Sequence, residues 1–223
     1  MTVMCANFKP LTLQQLSYLN FPSIPFEYSE EVYPGYELPL LFQSLRGLEW
    51  RKVMFGLVPK WAQDTTIATK TYNARNETLS QKPSFSEALL KYQFGVIPVT
   101  EFYESKYIDQ KPQRWGVRRK DGQAFFIAAL YEISKINDQV IRSCSMITID
   151  AIDHPIMKEF HEPGNIKRSV MIIPHERLNE WLSWNSPDIQ SFVEGFPVAD
   201  FECSHVPKLK VKKTSPQLNF FDE

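Results

Sequence analysis

The chain has 223 residues, 43% hydrophobic, 23% charged and 13% aromatic, which is enough apolar material for a buried core and too much for a disordered chain. Lys and Arg number 25 against 26 Asp and Glu, a formal net charge of −1, so any contact with a polyanion has to rest on a local basic groove and not on bulk charge. No apolar run reaches the ~20 residues that span a bilayer, the three cysteines Cys5, Cys144 and Cys203 lack CxxC spacing, and the start carries no export pattern, so a cytoplasmic protein without disulfides is expected.

In chain order, Thr12-Leu13-Gln14-Gln15 reads as a capping box opening a short helix, with Leu13, Leu16 and Leu19 on or near one face. Residues 21–47 carry Pro22, Pro25, Pro34, Gly35 and Pro39, a density that predicts a long irregular, wrapped segment. Val53 to Val58 is a short strand. Ser84-Phe85-Ser86-Glu87 is a second capping box, after which Phe85, Ala88, Leu89 and Tyr92 follow helical spacing. Phe94 to Val99, Arg114 to Arg119, Gln123 to Ile133 and Val140 to Ile149 read as strands, with Asp121-Gly122 supplying a hairpin turn. Arg168 to Ile173 gives one more strand. Pro174 then opens a helix with Leu178, Trp181 and Leu182 on one face. The fold class expected is α+β, mainly β: a curled, antiparallel, barrel-like sheet with a few peripheral helices. A leader or mis-assigned start over residues 1–4 precedes a domain at 5–205, and a basic tail follows at 206–223.

The four histidines, His154, His161, His175 and His205, share no metal-ligand spacing with each other or with the cysteines, so neither a metal nor another cofactor is expected. No glycine-rich phosphate loop is present. Cys5, Asn73, Arg75, Glu104 and His161 remain as polar residues at strand ends and turns. Each alone has an ordinary explanation as a small hydrophobe, a turn residue or a solvated charge.

Together they carry a resemblance. Met4-Cys5-Ala6-Asn7-Phe8, the run Phe55-Gly56-Leu57-Val58-Pro59-Lys60-Trp61, Asn73-Ala74-Arg75-Asn76-Glu77-Thr78, Phe102-Tyr103-Glu104, Ile147-Thr148 and His161 to Arg168 occur in the order found in one family. Over about residues 4–185 the chain resembles the SOS-response-associated peptidases, abasic-site processing proteins that crosslink themselves to damaged single-stranded DNA. The resemblance implies that Cys5, as the first residue of the mature chain, joins the aldehyde of an opened abasic sugar. Its amine forms an imine and its thiol closes a thiazolidine ring. A terminal amine near pKa ~7.7–8 and a thiol near ~8.5 need little tuning for this. By the same resemblance Asn73 holds the cysteine backbone and the sugar, and Arg75 grips a phosphate. Glu104 is the general base, also for removal of a leader, and His161 passes protons during ring opening. Thr148 adds a hydrogen bond, Trp61 stacks on unpaired bases, and Arg168 is a further DNA contact. The implied partner is single-stranded DNA with abasic sites, met by a nucleoid-associated monomer with no membrane.

The chain departs from the family pattern in three places. Met1-Thr2-Val3-Met4 precede Cys5, so either translation begins at Met4 or a four-residue leader is cut off by the protein itself. Cys5-Ala6-Asn7-Phe8 replaces the usual Cys-Gly-Arg-Phe. Glu162 to Lys167 lengthen the loop between His161 and Arg168. In the tail, Gln217, Leu218, Phe220 and Phe221 resemble a motif that binds the bacterial sliding clamp, which adds the clamp as an expected partner. Two alternatives stay open from sequence: a cysteine hydrolase acting on peptides in trans with His161 as base, and a non-covalent single-strand binding module.

Overall fold

The computed structural model describes residues 6–19 and 21–207. Its strands are β1 (Asn7–Pro10), β2 (Glu37–Ser44), β3 (Gly47–Phe55), β4 (Asn73–Arg75), β5 (Phe94–Ile108), β6 (Lys111–Arg119), β7 (Phe125–Ile136), β8 (Gln139–Asp150), β9 (Arg168–Val170), β10 (Ile172–Ile173) and β11 (Phe201–His205). The helices are short: α1 (Leu13–Leu16), α2 (Ala68–Thr71), α3 (Ser86–Leu90) and α4 (Leu178–Leu182). A ring closes through β7, β8, β3, β2 and β5 back to β7. The expected barrel-like, mainly β architecture is therefore present, but the barrel is mixed and not antiparallel. Met54 and Phe55 pair in parallel with Ser143 and Cys144, and β4 also runs parallel to β8. The long excursion between β3 and β8 permits a parallel seam that a hairpin cannot make.

Closure gives the barrel strands an inner and an outer face, and along residues 94–99 of β5, 125–130 of β7 and 143–149 of β8 both are buried. Ile97, Val99, Ile127, Ala129, Cys144 and Met146 belong to a cluster without residues from α1–α4, on the inside. Phe94, Val96, Phe126, Ala128, Ile147 and Ile149 alternate with them and pack outward against Leu16, Ala88, Leu89, Leu178 and Trp181 of the helices. This is why Phe125 to Leu130 reads as one apolar run: neither parity of side chain meets water.

Several boundaries differ from the sequence reading. Residues 37–44 form β2 despite Pro39, which lies outside the short stretch where β2 also pairs with β5. The strand expected at Val53–Val58 starts at Gly47 and ends at Phe55, because Gly56 turns the chain at φ 116°. Asp121-Gly122 is not a hairpin: β7 pairs with the first half of β5 and β6 with the second, so this turn carries the chain from one half to the other. Two-residue hairpins are instead at Leu45-Arg46, Asp109-Gln110 and Asn137-Asp138, the last two with both residues at positive φ. The capping box at Thr12 is formed, although Leu13 is exposed. The one at Ser84 is not. Helix α3 begins two residues later without a side-chain cap, and Tyr92, at φ 53°, ends it as an exposed residue. Arg168–Ile173 divides at Met171, where pairing passes from β8 to β7. The segment 201–205, unread in sequence, is edge strand β11.

Candidate active site

Strand β5 positions Glu104. Its partner β1 pairs Lys9 with Glu101 but Pro10 with Val99, leaving Thr100 as an extra residue. The bulge reverses the alternation, so the inner face that carries Ile97 and Val99 continues through Phe102 and thus Glu104. Without it, Glu101 and Tyr103 would point inward instead.

His161 comes to the same place from the long loop after β8. Its backbone N–H donates to the Ser105 carbonyl at 2.7 Å and its φ is 66°, a left-handed conformation seldom adopted by a non-glycine residue. The imidazole is sealed from solvent, with Nε2 3.4 Å from Glu104 Oε2. Neither ring nitrogen completes a hydrogen bond among the described residues, so the imidazole retains capacity to donate and accept. A buried carboxylate against a buried imidazole is a pair able to relay a proton.

A second group lies on β4. Asn73, Ala74 and Arg75 pair with Met146, Ile147 and Thr148 of β8. Asn73 is half-buried and Arg75 is exposed. Gly56 makes this arrangement possible: a Cβ there would lie 2.2 Å from the Ala68 carbonyl oxygen. Its N–H donates to the Cys144 carbonyl at 2.8 Å, and Thr71 Oγ1 donates to the Leu57 carbonyl at 2.6 Å, tying the segment between β3 and β4 to the barrel. The two groups are linked by aromatic edges. Phe8 on β1 meets Phe55 at 5.2 Å between centroids, and Phe55 meets Tyr72, next to Asn73, at 5.7 Å.

Arg168 stands apart from the sequence expectation. It is 3% exposed, and its guanidinium donates to both carboxylate oxygens of Glu77, at 2.6 and 3.0 Å, and to the carbonyl and hydroxyl of Thr148, at 2.7 and 3.2 Å. Its two terminal nitrogens, and with them the Thr148 hydroxyl, are engaged inside the protein, where they fasten β9 to β8 and to the turn after β4; Nε is buried without a partner among the described residues. Trp61 is exposed, its indole N–H donating to the Pro83 carbonyl at 3.3 Å. Cys5, Gln217, Leu218, Phe220 and Phe221 lie outside the described residues. Burial pushes the Cys144 thiol far up and raises that of Cys203 to about 11, which disfavours the thiolate at both. Among the described residues no cluster of acidic, His or Cys side chains could hold a metal ion, and no helix is long and apolar enough to cross a membrane. Glu31 and Arg114, which sit in none of the motifs read from the sequence, form an ion pair at 2.5 Å beside Tyr103.

Comparisons with known proteins show the family and the fold. The chain is 34% identical over 176 residues to abasic site processing protein YoqW of Bacillus subtilis, covering 75% of this chain and 74% of that protein. It is 31% identical over 196 residues to YoaM of the same organism, also named an abasic site processing protein, covering 85% and 82%. A crystal structure of a Bordetella bronchiseptica protein superposes with a TM-score of 0.85 at 26% identity, over 92% of this chain and 100% of the other. The profile of the SOS response associated peptidase (SRAP) family matches residues 7–213, and the chain belongs to that family.

Proposed function

We propose that this protein captures abasic sites in single-stranded DNA by a covalent bond through Cys5. The observation that carries the reading is the Glu104–His161 pair, buried together next to the strand that begins two residues after Cys5 and runs against Tyr103. Relatives at 31–34% identity carry the name abasic site processing protein, in keeping with such a substrate.

In this reading His161 gives a proton to the ring oxygen while the anomeric hydroxyl releases its own to water, and the sugar hemiacetal opens to the aldehyde. Glu104 accepts a proton from the Cys5 ammonium, and the free amine adds to the aldehyde carbon. Loss of one water gives the imine. The Cys5 sulfur then adds to the imine carbon while the nitrogen takes up a proton, closing a five-membered ring. Asn73 orients the reactants and exposed Arg75 meets a phosphate. An amide nitrogen cannot do this, so the amine of Cys5 has to be free, whether by self-cleavage after Met4 or by initiation at Met4 followed by hydrolytic removal of that methionine.

Incubation with abasic single-stranded oligonucleotide is expected to give an adduct that survives denaturation and high salt. Cys5→Ala, and a variant retaining residues 1–4, should give none. Equal adduct from Cys5→Ala would refute the assignment, as would native protein whose intact mass always includes residues 1–4.

A further inference from the structure

On the face of β5 opposite Glu104, three side chains converge on one carboxylate. Glu31 Oε1 accepts from the Tyr33 hydroxyl at 2.6 Å, from Arg114 Nη2 at 2.5 Å, and from Asn7 Nδ2. The Arg114 guanidinium lies 3.4 Å from the centroid of the Tyr103 ring, directly across from Asn7 in the β1–β5 register. The Tyr103 hydroxyl in turn donates to Glu101 at 2.6 Å, and Lys9 Nζ approaches the same carboxylate to 3.6 Å. Glycine at 116 leaves room for this Glu101 rotamer: a Cβ there would sit 2.0 Å from Glu101 Oε1.

Register puts Asn7 and Lys9 on the same side of β1 as Tyr103 and Glu101. Each of the two is therefore held by a carboxylate, Asn7 by Glu31 and Lys9 by Glu101. Lys9 is a half-exposed ion pair of small worth. Asn7 is different: it is 8% exposed, its acceptor is a carboxyl group, and that acceptor is itself fixed by an arginine and a tyrosine. A strand of four residues near a terminus frays unless something fixes it. The backbone exchange between Phe8 and Val32, at 3.3 and 2.9 Å, fixes its middle, and Glu31 fixes its first residue.

We propose that Glu31 is a positioning residue that pins Asn7 and so fixes the point from which the chain continues to Cys5, two residues earlier in sequence. The effect on chemistry rests on the reading that Cys5 is the crosslinking residue; the pinning itself does not. Holding an attacking group near its electrophile accelerates the reaction without changing the strength of DNA binding.

The experiment compares wild type, Glu31→Ala, Glu31→Gln and Asn7→Ala, all with Cys5 as the first residue. It measures adduct formation at saturating abasic oligonucleotide, affinity for an oligonucleotide with the unreactive tetrahydrofuran analogue, and amide hydrogen exchange at Phe8 and Val32. Glu31→Ala and Asn7→Ala should slow adduct formation about tenfold and raise exchange at both amides, with analogue affinity within about twofold of wild type. Glu31→Gln, which keeps an acceptor oxygen, should recover most of the rate. Wild-type rate and protection in Asn7→Ala would overturn the proposal even if Glu31→Ala fails to fold. A wild type that makes no adduct would remove the Cys5 reading, while the exchange data would still decide whether Glu31 pins β1.

Discussion

His161 combines a left-handed backbone with a side chain that has no exposure and two uncommitted nitrogens. Each of these is costly for a purely structural residue, since strained φ and unsatisfied buried donors cost on the order of 1–3 kcal/mol apiece. Replacing it tests whether that cost is offset by chemistry. His161→Ala should lower adduct formation by about a hundredfold or more while leaving thermal stability equal to or above wild type; a large loss of stability with unchanged rate would assign the residue to packing. At the same scale, native protein treated with iodoacetamide near neutral pH should leave Cys144 unmodified and label Cys203 slowly, because burial holds both thiols protonated. Peptide mapping reads this directly, and rapid labelling of Cys144 in the folded state would contradict its position in the barrel core. The sequence displayed His161, Glu104 and Asn73 through ordered motifs, but gave no sign that Arg168 is buried. A motif preserves which residues occur, whereas the partners of an arginine depend on what the fold brings to it, here Glu77 from 91 residues away.

Among the elements, legibility followed locality. The Thr12 box and the apolar face of Leu178, Trp181 and Leu182 depend on neighbours three and four residues away and could be read. Strand β2 was hidden by Pro39, and the single strand read at Arg168–Ile173 concealed a change of partner at Met171. The Thr100 bulge was equally invisible, yet it decides which way Glu104 faces. The mixed seam beside β3 depends on Gly56 at φ 116°, with the Ala68 carbonyl where a side chain would be. Gly56→Ala should therefore lower stability by about 3 kcal/mol or more, read as a shift in denaturant midpoint. It should also loosen β4, and with it Asn73 and Arg75. A midpoint within experimental error of wild type would mean that the turn has room the geometry does not provide.

At the scale of the whole molecule, one buried guanidinium adds to the ladders by which β4 and β9 are attached to the barrel. Arg168 bridges β9, the Thr148 carbonyl of β8 and Glu77 in the turn after β4, so the segment bearing Asn73 and Arg75 is fixed to the barrel from behind. Burial pushes the Glu77 carboxyl up, but the hydrogen bonds and charge of Arg168 outweigh this and hold it below its ordinary value. A carboxyl with a depressed folded-state pKa contributes stability in full above its unfolded value, near ~4.3, and loses it as pH falls through the folded value. With the Glu77 side chain 43% exposed, solvent screens the pair and the ionic part is modest. Glu77→Gln should thus be slightly less stable than wild type at pH 7, with the gap closing below about pH 4. Arg168→Ala should be more damaging at every pH, by about 1–3 kcal/mol, because it also strips the buried Thr148 carbonyl of a donor. Denaturant midpoints of the three proteins across pH 3 to 8 distinguish the contributions. A Glu77→Gln gap that persists unchanged into acid would show that the carboxylate's charge contributes nothing, and an Arg168→Ala protein as stable as wild type would show that β4 is held by its ladder with β8 alone.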